Sequence, residues 1–171
     1  MAVPEINFRS LRVDDLEVLV GWFAEPDVAR WWDQPATLDA VSEKYLPRIE
    51  GREPTRMWIV EIDAVPAGLI QDYLHADDPG YDECVGVPDA VGIDYLLGGV
   101  HRGRGLAPLV LSEFAALVLE LHPATESCVA TPARSNRASW RALERAGFVR
   151  RGECDPPDEP PAYVYSVARA G

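Results

Sequence analysis

The chain has 171 residues, about the length of one domain, and 47% of them are hydrophobic, so it can bury a core without disulfides or metals. Its formal net charge of −12 at pH 7 argues against bulk nucleic-acid binding, because such binding needs a basic surface. No apolar run reaches the roughly 18 residues of a membrane span and no signal-peptide pattern opens the chain, so we expect a cytoplasmic protein without a membrane partner.

The first half of the chain predicts a strand, three helices and two further strands. The first helix is indicated by apolar residues at helical spacing after a capping Asp14 or Asp15, and Thr37 is placed to cap the third helix. In chain order, the predicted elements are a strand at 7–13, helices at 16–25, 28–32 and 38–50, and strands at 56–62 and 68–74.

The second half predicts a long loop, followed by strands that alternate with helices. Prolines and glycines interrupt the segment 75–89, and a loop of that length is more often functional than idle. Ser135 is placed to cap the last helix. The remaining predicted elements are strands at 91–97, 126–131, 148–153 and 163–168, and helices at 106–121 and 136–146. This order predicts an α/β (α+β) fold, a mixed sheet of about seven strands flanked by helices, in a single domain covering 1–171.

The excess negative charge is concentrated in two stretches that contain no lysine or arginine. Residues 72–89 include six acidic side chains and residues 153–159 include four, which together account for ten of the twelve excess charges. At this stage the two stretches are equally well explained as solvated acidic loops or as a functional surface.

The cysteines are three in number, at positions 84, 128 and 154. An odd number without paired spacing indicates neither a disulfide framework nor a zinc site. We therefore expect buried or incidental thiols, and no metal.

A glycine-containing turn joins the strand at 91–97 to the helix at 106–121. Such a turn presents backbone N–H groups at a helix N-terminus, where the helix dipole favours phosphate, and Arg102 and Arg104 add positive charge. The turn lacks the Lys-Ser/Thr ending of a P-loop and the GxGxxG pattern of a Rossmann fold. Taken alone, it is either a phosphate site or an ordinary glycine-rich turn.

Two motifs resemble the GNAT superfamily of N-acetyltransferases. The segment 102–107 matches the Arg-x-x-Gly-x-Ala pattern of the acyl-CoA pyrophosphate loop, and Asn136 followed by Leu-Glu-Arg-Ala-Gly-Phe at 143–148 is similar to the family's second motif. A narrower resemblance, covering about residues 11–168, is to aminoglycoside 6'-N-acetyltransferases. It is carried by Arg-Trp-Trp at 30–32, Glu-Lys-Tyr-Leu-Pro at 43–47, Gly-Ile-Asp at 92–94, Ser-Asn at 135–136, and Pro-Asp at 157–158 followed by Ala-Tyr at 162–163.

The resemblance implies acetyl-CoA as co-substrate, and a mostly antiparallel sheet with a splayed strand pair at the acyl-CoA site. Backbone groups of Leu96 and Leu97 would follow the pantetheine arm, and Asn136 would contact the pantetheine or its sulfur end. The pyrophosphate would be held by Arg102, Gly103, Arg104, Gly105, Leu106 and Ala107. Three further arginines would either meet the cofactor's 3'-phosphate or form a solvated helix face: Arg134, Arg137 and Arg141.

The resemblance also implies that Asp94 binds the amine to be acetylated and takes its proton, directly or through water. The alternative is an ordinary polar strand residue. Both acidic stretches fall on acceptor-side loops, where they would attract an ammonium-rich acceptor. Trp32, Tyr45 and Tyr81 would form flat walls for sugar rings, and Trp32 and Tyr45 would alternatively pack in the core from their helical positions. The predicted substrate-binding residues are Trp32, Tyr45, Asp77, Asp78, Tyr81, Asp94 and Asp158.

Two residues depart from the family pattern. Leu143 stands where the family commonly has a tyrosine that protonates the leaving thiolate, so water or Tyr95 would supply that proton, and Tyr95 is the second predicted catalytic residue. Thr131 stands where the aminoglycoside enzymes carry an acceptor-binding aspartate, which removes one expected ammonium contact.

The sequence therefore predicts direct acetyl transfer from acetyl-CoA to an amine of a polycationic small molecule, with an aminoglycoside 6'-amine favoured. Other acceptors left open are a lysine- or hydroxylysine-derived siderophore precursor and a protein N-terminus. An inactive acyl-CoA-binding sensor is the alternative from outside the enzymes. We expect no nucleic-acid partner, and a monomer or weak homodimer.

Overall fold

The computed structural model describes residues 2–171, and in that part of the chain seven strands form one open mixed sheet. The strands are β1 (Ile6–Ser10), β2 (Arg56–Ile62), β3 (Val65–Leu74), β4 (Ala90–Leu97), β5 (Ser127–Ala130), β6 (Val149–Cys154) and β7 (Ala162–Ala168). Neighbouring strands follow the order β1-β2-β3-β4-β5-β7-β6. The predicted mixed sheet of about seven strands is confirmed.

Six α-helices flank the sheet within residues 2–171. They are α1 (Leu16–Phe23), α2 (Pro26–Ala29), α3 (Leu38–Ile49), α4 (Pro79–Val85), α5 (Ala107–Leu121) and α6 (Arg137–Arg145). Thr37 caps α3 as predicted, since its Oγ1 accepts a hydrogen bond from the backbone N–H of Ala40 at 3.2 Å. The cap of α6 is Asn136 rather than the predicted Ser135.

The segment 75–89 is not the long loop that its prolines and glycines predicted. It contains a 3-10 turn at His75–Asp77 followed by α4. Asp78 caps α4, Pro79 occupies its first turn, and Gly86 ends it with a φ of 69°. The same residue types that punctuate loops therefore begin and end a short helix here.

Cys84 and Cys154 form a disulfide with their Cα atoms 5.6 Å apart, so the prediction of three free thiols is wrong. Cys84 lies in α4 and Cys154 ends β6. Their sequence separation is 70, so no short cysteine spacing predicts this disulfide. Cys128 is the remaining, buried thiol, and burial raises its pKa far above the ordinary value.

Residues 2–71 and Tyr95–Arg104 form one compact unit. In it, β1 pairs antiparallel with β2, and the two-residue turn between β2 and β3 passes through Asp63 and Ala64 with φ of 51° and 64°. A turn with positive φ at both positions matches the right-handed twist of a hairpin. The core of this unit is built from buried residues that include Leu19, Phe23, Val41, Tyr45, Ile59 and Leu69.

Residues Asp72–Asp94 and Gly105–Gly171 form the second compact unit. Here β5 and β6 both pair antiparallel with β7, while β4 and β5 are parallel. In the described chain the β4–β5 ladder runs from Ala90–Ser127 to Gly92–Val129 and ends there, although β4 continues to Leu97. The expected splayed strand pair stays a prediction.

Candidate active site

Asp94 lies on β4 within a cluster of hydroxyl-bearing side chains. Tyr73, near the end of β3, hydrogen-bonds both Asp94 and Tyr81 of α4. The Tyr81 hydroxyl is in turn hydrogen-bonded to Thr131 Oγ1, in the residue after β5. The sequence predicted Asp94 and Tyr81 as site residues, and the structure joins them in one network. Tyr73 carried no local signal, because its role depends on contacts between separate elements. The resemblance did place position 131 on the acceptor side, but only as a lost ammonium contact and not as a hydrogen-bond partner of Tyr81.

Gly92 makes room for the Tyr73 ring. Gly92 and Asp94 are two residues apart on β4 and therefore lie on the same face of the strand. A Cβ placed on Gly92 would be 2.4 Å from Cε2 of Tyr73 and 2.6 Å from Nε2 of His75. Any side chain at this position would displace the ring that reaches Asp94. The need for space therefore explains why glycine occupies the first position of the Gly-Ile-Asp block.

Both phenols keep their protons near neutral pH. Burial raises the pKa of Tyr73 well above its ordinary value, and the neighbouring Asp94 carboxylate raises it further. Burial is also the main reason that the pKa of Tyr81 rises to about 12; Asp94 adds to the increase, and the hydrogen bonds with Thr131 and Tyr73 oppose it. Each phenol can therefore act as a hydrogen-bond donor at this site.

A second carboxylate near Asp94 comes from the segment between β6 and β7. Burial raises the pKa of Glu159 above its ordinary value, and the negative charge of Asp94 raises it further. The predicted Asp158 is exposed and has a φ of 62° in the turn before it. Glu159 is exposed as well, so exposure does not separate the two residues, and the predicted substrate contact of Asp158 stays a prediction.

The acidic side chains of the stretch 72–89 serve different purposes. Asp72 is only 1% exposed, and its Oδ2 lies 2.8 Å from Nε2 of His122, so it is not part of an exposed acidic surface. Asp78 Oδ1 accepts a hydrogen bond from the Tyr81 backbone N–H at 3.1 Å and thereby caps α4. Asp77 is exposed in the preceding 3-10 turn.

Two predicted aromatic walls lie in the first unit. Tyr45 is completely buried and stacks on Phe23 with ring centroids 5.9 Å apart. Of the two roles left open for Tyr45, the structure therefore shows core packing, because a ring without exposed area offers no wall to a ligand. Trp32 is partly buried, with its ring centroid 5.7 Å from that of Phe23.

His75 is a buried imidazole beside the two phenols. It is 1% exposed, stacks on Tyr73 at 5.8 Å and meets Tyr81 edge-on at 5.2 Å between ring centroids. Neither ring nitrogen has a hydrogen-bond partner among the described residues, and the Asp82 carboxylate is 4.0 Å from Nδ1. Burial lowers the pKa of His75 below its ordinary value, against the opposing attraction of Asp82 and Asp78.

This burial makes the stability of the protein pH-dependent. The unfolded chain takes up a proton on His75 near pH 6.5, while the folded chain resists it until a lower pH. The free energy of unfolding should therefore fall as the pH drops from 7.5 to 5.5. The free energy of unfolding of the His75→Gln variant should fall less over the same interval. Urea titrations of both proteins at the two pH values measure this. Equal losses in the two proteins would contradict it.

The residues that lead into the first turn of α5 are 103–107, because the N–H groups of Gly98, Gly99, His101 and Arg102 are already bonded within the first unit. Gly103 and Gly105 have φ of 72° and 71°, a region that favours glycine, and a Cβ on either would meet nothing within 4 Å. No side chain caps α5, and Pro108 in its first turn has no N–H to satisfy. This geometry suits an anionic ligand such as a pyrophosphate.

Arg102 is engaged within the first unit. Its Nη1 donates to the Leu97 carbonyl at 2.8 Å and lies 2.7 Å from Glu25 Oε2, and Glu25 also accepts from the Gly99 N–H at 3.2 Å. Glu25 therefore neutralises this guanidinium and holds the start of the glycine segment, and the predicted phosphate contact of Arg102 stays a prediction. Arg104 is exposed.

The other residues predicted to follow the cofactor offer mainly backbone atoms. The side chains of Leu96, Leu97 and Leu106 are buried, and Ala107 and Tyr95 are half-buried. Asn136 Oδ1 accepts from the Ser139 N–H at 3.3 Å to cap α6, which leaves its Nδ2 group to donate.

Leu143 is completely buried in α6. A core leucine has neither a proton to give nor access to a thiolate. The structure therefore assigns this position to packing, and the group that protonates the thiolate is to be sought elsewhere.

The three arginines flanking the second motif have partners at the surface. Arg134 Nη1 is 3.2 Å from Glu153 Oε2. The guanidinium groups of Arg137 and Arg141 each lie 6.0 Å from the centroid of the Trp140 ring. These contacts are those of an exposed helix face, one of the two alternatives left open.

Within residues 2–171, no group of three or more histidine, cysteine, aspartate or glutamate side chains is arranged to hold a metal ion. None of the helices in the same part of the chain is both long and apolar enough to cross a membrane.

Comparison with known proteins identifies the family. The model of the acetyltransferase (GNAT) domain matches residues 12–156. The aminoglycoside N(6')-acetyltransferase type 1 of Klebsiella pneumoniae is 29% identical, over 96% of this chain and 84% of that protein. The crystal structure of AAC(6')-Ib with coenzyme A and kanamycin is 29% identical with a TM-score of 0.85, covering 96% of this chain and 95% of that one. AAC(6')-Ib with ribostamycin and coenzyme A gives 28% identity and a TM-score of 0.84, covering 96% and 94%.

The family model covers most of the chain, and the seven-stranded sheet and the glycine segment before α5 agree with it. The chain belongs to the GNAT acetyltransferase family and is an acetyl-CoA-dependent N-acetyltransferase.

Proposed function

We propose that this enzyme acetylates an amine of a polycationic small molecule, with the 6'-amine of an aminoglycoside as the favoured acceptor. The observation that carries the proposal is Asp94, a carboxylate fixed by neutral phenols with Glu159 close to it. Two neighbouring carboxylates repel each other, and an ammonium group bound at Asp94 relieves that repulsion. The similar proteins named above are aminoglycoside 6'-N-acetyltransferases.

Asp94 is the proposed acceptor-binding and proton-accepting residue. The bound ammonium gives one proton to Asp94, directly or through water, and the neutral nitrogen then attacks the thioester carbonyl carbon. The C–S bond breaks, the acetyl group becomes an amide, and the second proton lost by nitrogen balances the one that water or Tyr95 returns to the CoA thiolate. Glu159, Asp77 and Asp158, all in the second unit, complete the proposed acceptor side, and the wall predicted for Trp32 stays a prediction.

Acetyl-CoA supplies the activated acetyl group, and backbone groups position it. The proposed pyrophosphate contacts are the N–H groups of Gly103, Arg104, Gly105, Leu106 and Ala107. By the family resemblance, the proposed contacts of the pantetheine arm are the Nδ2 group of Asn136 and backbone groups of Leu96 and Leu97. Holding both reactants in attack geometry contributes much of the acceleration in such direct transfers, on the order of 7–11 kcal/mol.

A thiol-release assay tests the proposal with two matched acceptors. Acetyl-CoA and kanamycin, which carries a 6'-amine, should give turnover. An aminoglycoside that carries a 6'-hydroxyl in place of the amine should give at least 100-fold lower kcat/KM, because it offers no nitrogen at the reacting position. Equal turnover of the two drugs would contradict the assignment of the 6'-amine.

The same assay separates the other functions. Preferred turnover of hydroxylysine would identify a siderophore precursor as the acceptor. Preferred turnover of a peptide with a free N-terminus would identify a protein N-terminus as the acceptor. Tight CoA binding without turnover of any amine would leave an acyl-CoA sensor. The proposed setting is the cytoplasm, with the enzyme acting as a monomer or weak homodimer.

A further inference from the structure

We propose that the hydroxyl groups of Thr131, Tyr81 and Tyr73 form a directed hydrogen-bond chain that ends on Asp94 and holds its carboxylate in position for the acceptor amine. Three separate elements supply the hydroxyls: the end of β3, α4 and the residue after β5. The inference rests on the proposed function, since it gives a purpose to residues that act through Asp94. None of the three is assigned contact with the reacting atoms.

The direction of the chain follows from counting protons. A carboxylate only accepts hydrogen bonds, so the single hydroxyl proton of Tyr73 is donated to Asp94. Proton counting then makes Tyr81 the donor in the bond between the two phenols, which leaves the oxygen of Tyr81 to accept from Thr131. Each hydroxyl donates once and accepts once. Donors that point the same way polarise one another, so the last bond, to Asp94, is strengthened by those behind it.

Buried aromatic packing supports the chain from below. Tyr73 stacks on His75, Tyr81 meets the edge of the same imidazole, and Gly92 leaves the space that the Tyr73 ring occupies. The two phenol rings are tilted to each other with centroids 6.4 Å apart. Rings fixed on several sides hold their hydroxyls in one geometry, as a positioning device requires.

The helix that carries Tyr81 is also fixed. Asp78 caps α4 at one end, and the disulfide from Cys84 ties it to β6. Apolar contacts among Val85, Val129 and Val164 add to this attachment, with Tyr81 packed against the same cluster. A seven-residue helix has little stability of its own, so these ties decide where the Tyr81 hydroxyl lies.

Hydroxyl deletions in the intact enzyme test the inference. Tyr81→Phe and Thr131→Val should each lower kcat/KM for the amine about 10-fold and leave the KM for acetyl-CoA unchanged, because the carboxylate loses its orientation while the cofactor side is untouched. Thr131→Ser keeps the hydroxyl and should restore activity to within 2-fold of the wild type. A purely structural role predicts no such split between the two substrates.

A matched control and a second background complete the test. Tyr165→Phe removes a phenol that donates to Glu144 at 2.9 Å in the same unit, and it should leave kcat/KM within 2-fold. In an Asp94→Asn background, Tyr81→Phe should have no further effect if the chain acts through Asp94.

The outcomes distinguish this inference from the proposed function. Wild-type kinetics in Tyr81→Phe and Thr131→Val would overturn the chain alone. A further 10-fold loss from Tyr81→Phe in the Asp94→Asn background would also overturn it, because the hydroxyl would then act elsewhere. Full activity of Asp94→Asn by itself would overturn the proposed role of Asp94 and the chain with it.

Discussion

Replacing Asp94 with asparagine should lower kcat/KM for the acceptor amine at least 100-fold and leave the binding of CoA unchanged. Asparagine preserves the shape of the side chain and an oxygen for Tyr73 to bond, but it carries no charge for an ammonium group and cannot take a proton. General-base groups typically contribute about 10²–10⁴-fold to rate, and a 100-fold loss corresponds to about 2.7 kcal/mol of transition-state stabilisation. Steady-state thiol release with kanamycin measures the kinetic change, and calorimetric titration with CoA measures binding.

Asp89→Asn is the matched control for this variant. Asp89 is exposed, belongs to the same acidic stretch and precedes β4, so the change removes the same charge a few residues away. Its φ of 50° is one that asparagine tolerates well. The control should keep kcat/KM within 2-fold. An Asp94→Asn enzyme within 3-fold of wild type would show that this carboxylate is not the acceptor site.

Replacing Gly105 with aspartate should weaken CoA binding at least 30-fold. The residue has a φ of 71° in the segment that leads into α5, so any Cβ introduces strain, of roughly 1–2 kcal/mol. The carboxylate adds negative charge where the two phosphates of the cofactor are proposed to bind. Both effects oppose binding, and the Kd for CoA from calorimetry reports their sum.

Gly51→Asp separates the local strain from the effect on the ligand. Gly51 follows α3, has a φ of 72°, and like Gly105 has no atom within 4 Å of a Cβ placed on it. The two substitutions therefore carry the same charge and similar backbone strain, and they should lower the melting temperature similarly. Only Gly105→Asp should change the Kd. Equal affinity of the two variants for CoA would show that the pyrophosphate does not bind to this segment.

Long periodic elements could be predicted from the sequence, whereas the short helix could not. The helix predicted at 106–121 is observed as Ala107–Leu121, and the strand predicted at 91–97 as Ala90–Leu97. Their apolar patterns extend over enough residues to exclude the alternatives. α4 has seven residues and owes its place to a cap, a disulfide and packing against β6. Of these three, only the cap can be recognised from the neighbouring sequence.

The candidate site divides in the same way. Asp94 could be predicted because its motif is local and the strand around it is apolar. Its hydrogen bond with Tyr73 could not, since Tyr73 reaches Asp94 from another strand, and the resemblance flagged position 131 without predicting its bond to Tyr81. Arg102 shows the converse: its charge is visible in the sequence, but the carboxylate of Glu25 that neutralises it is not. Composition counts charges without saying which are already paired.

The position of Gly92 has a consequence for how this acceptor site could change. Natural variation in substrate preference is usually sought among side chains that touch the ligand. Here the missing side chain of Gly92 leaves the space that the Tyr73 ring occupies, and Tyr73 hydrogen-bonds Asp94. If Asp94 binds the acceptor as proposed, we expect substitutions at residue 92 to change acceptor preference without any contact between residue 92 and the substrate.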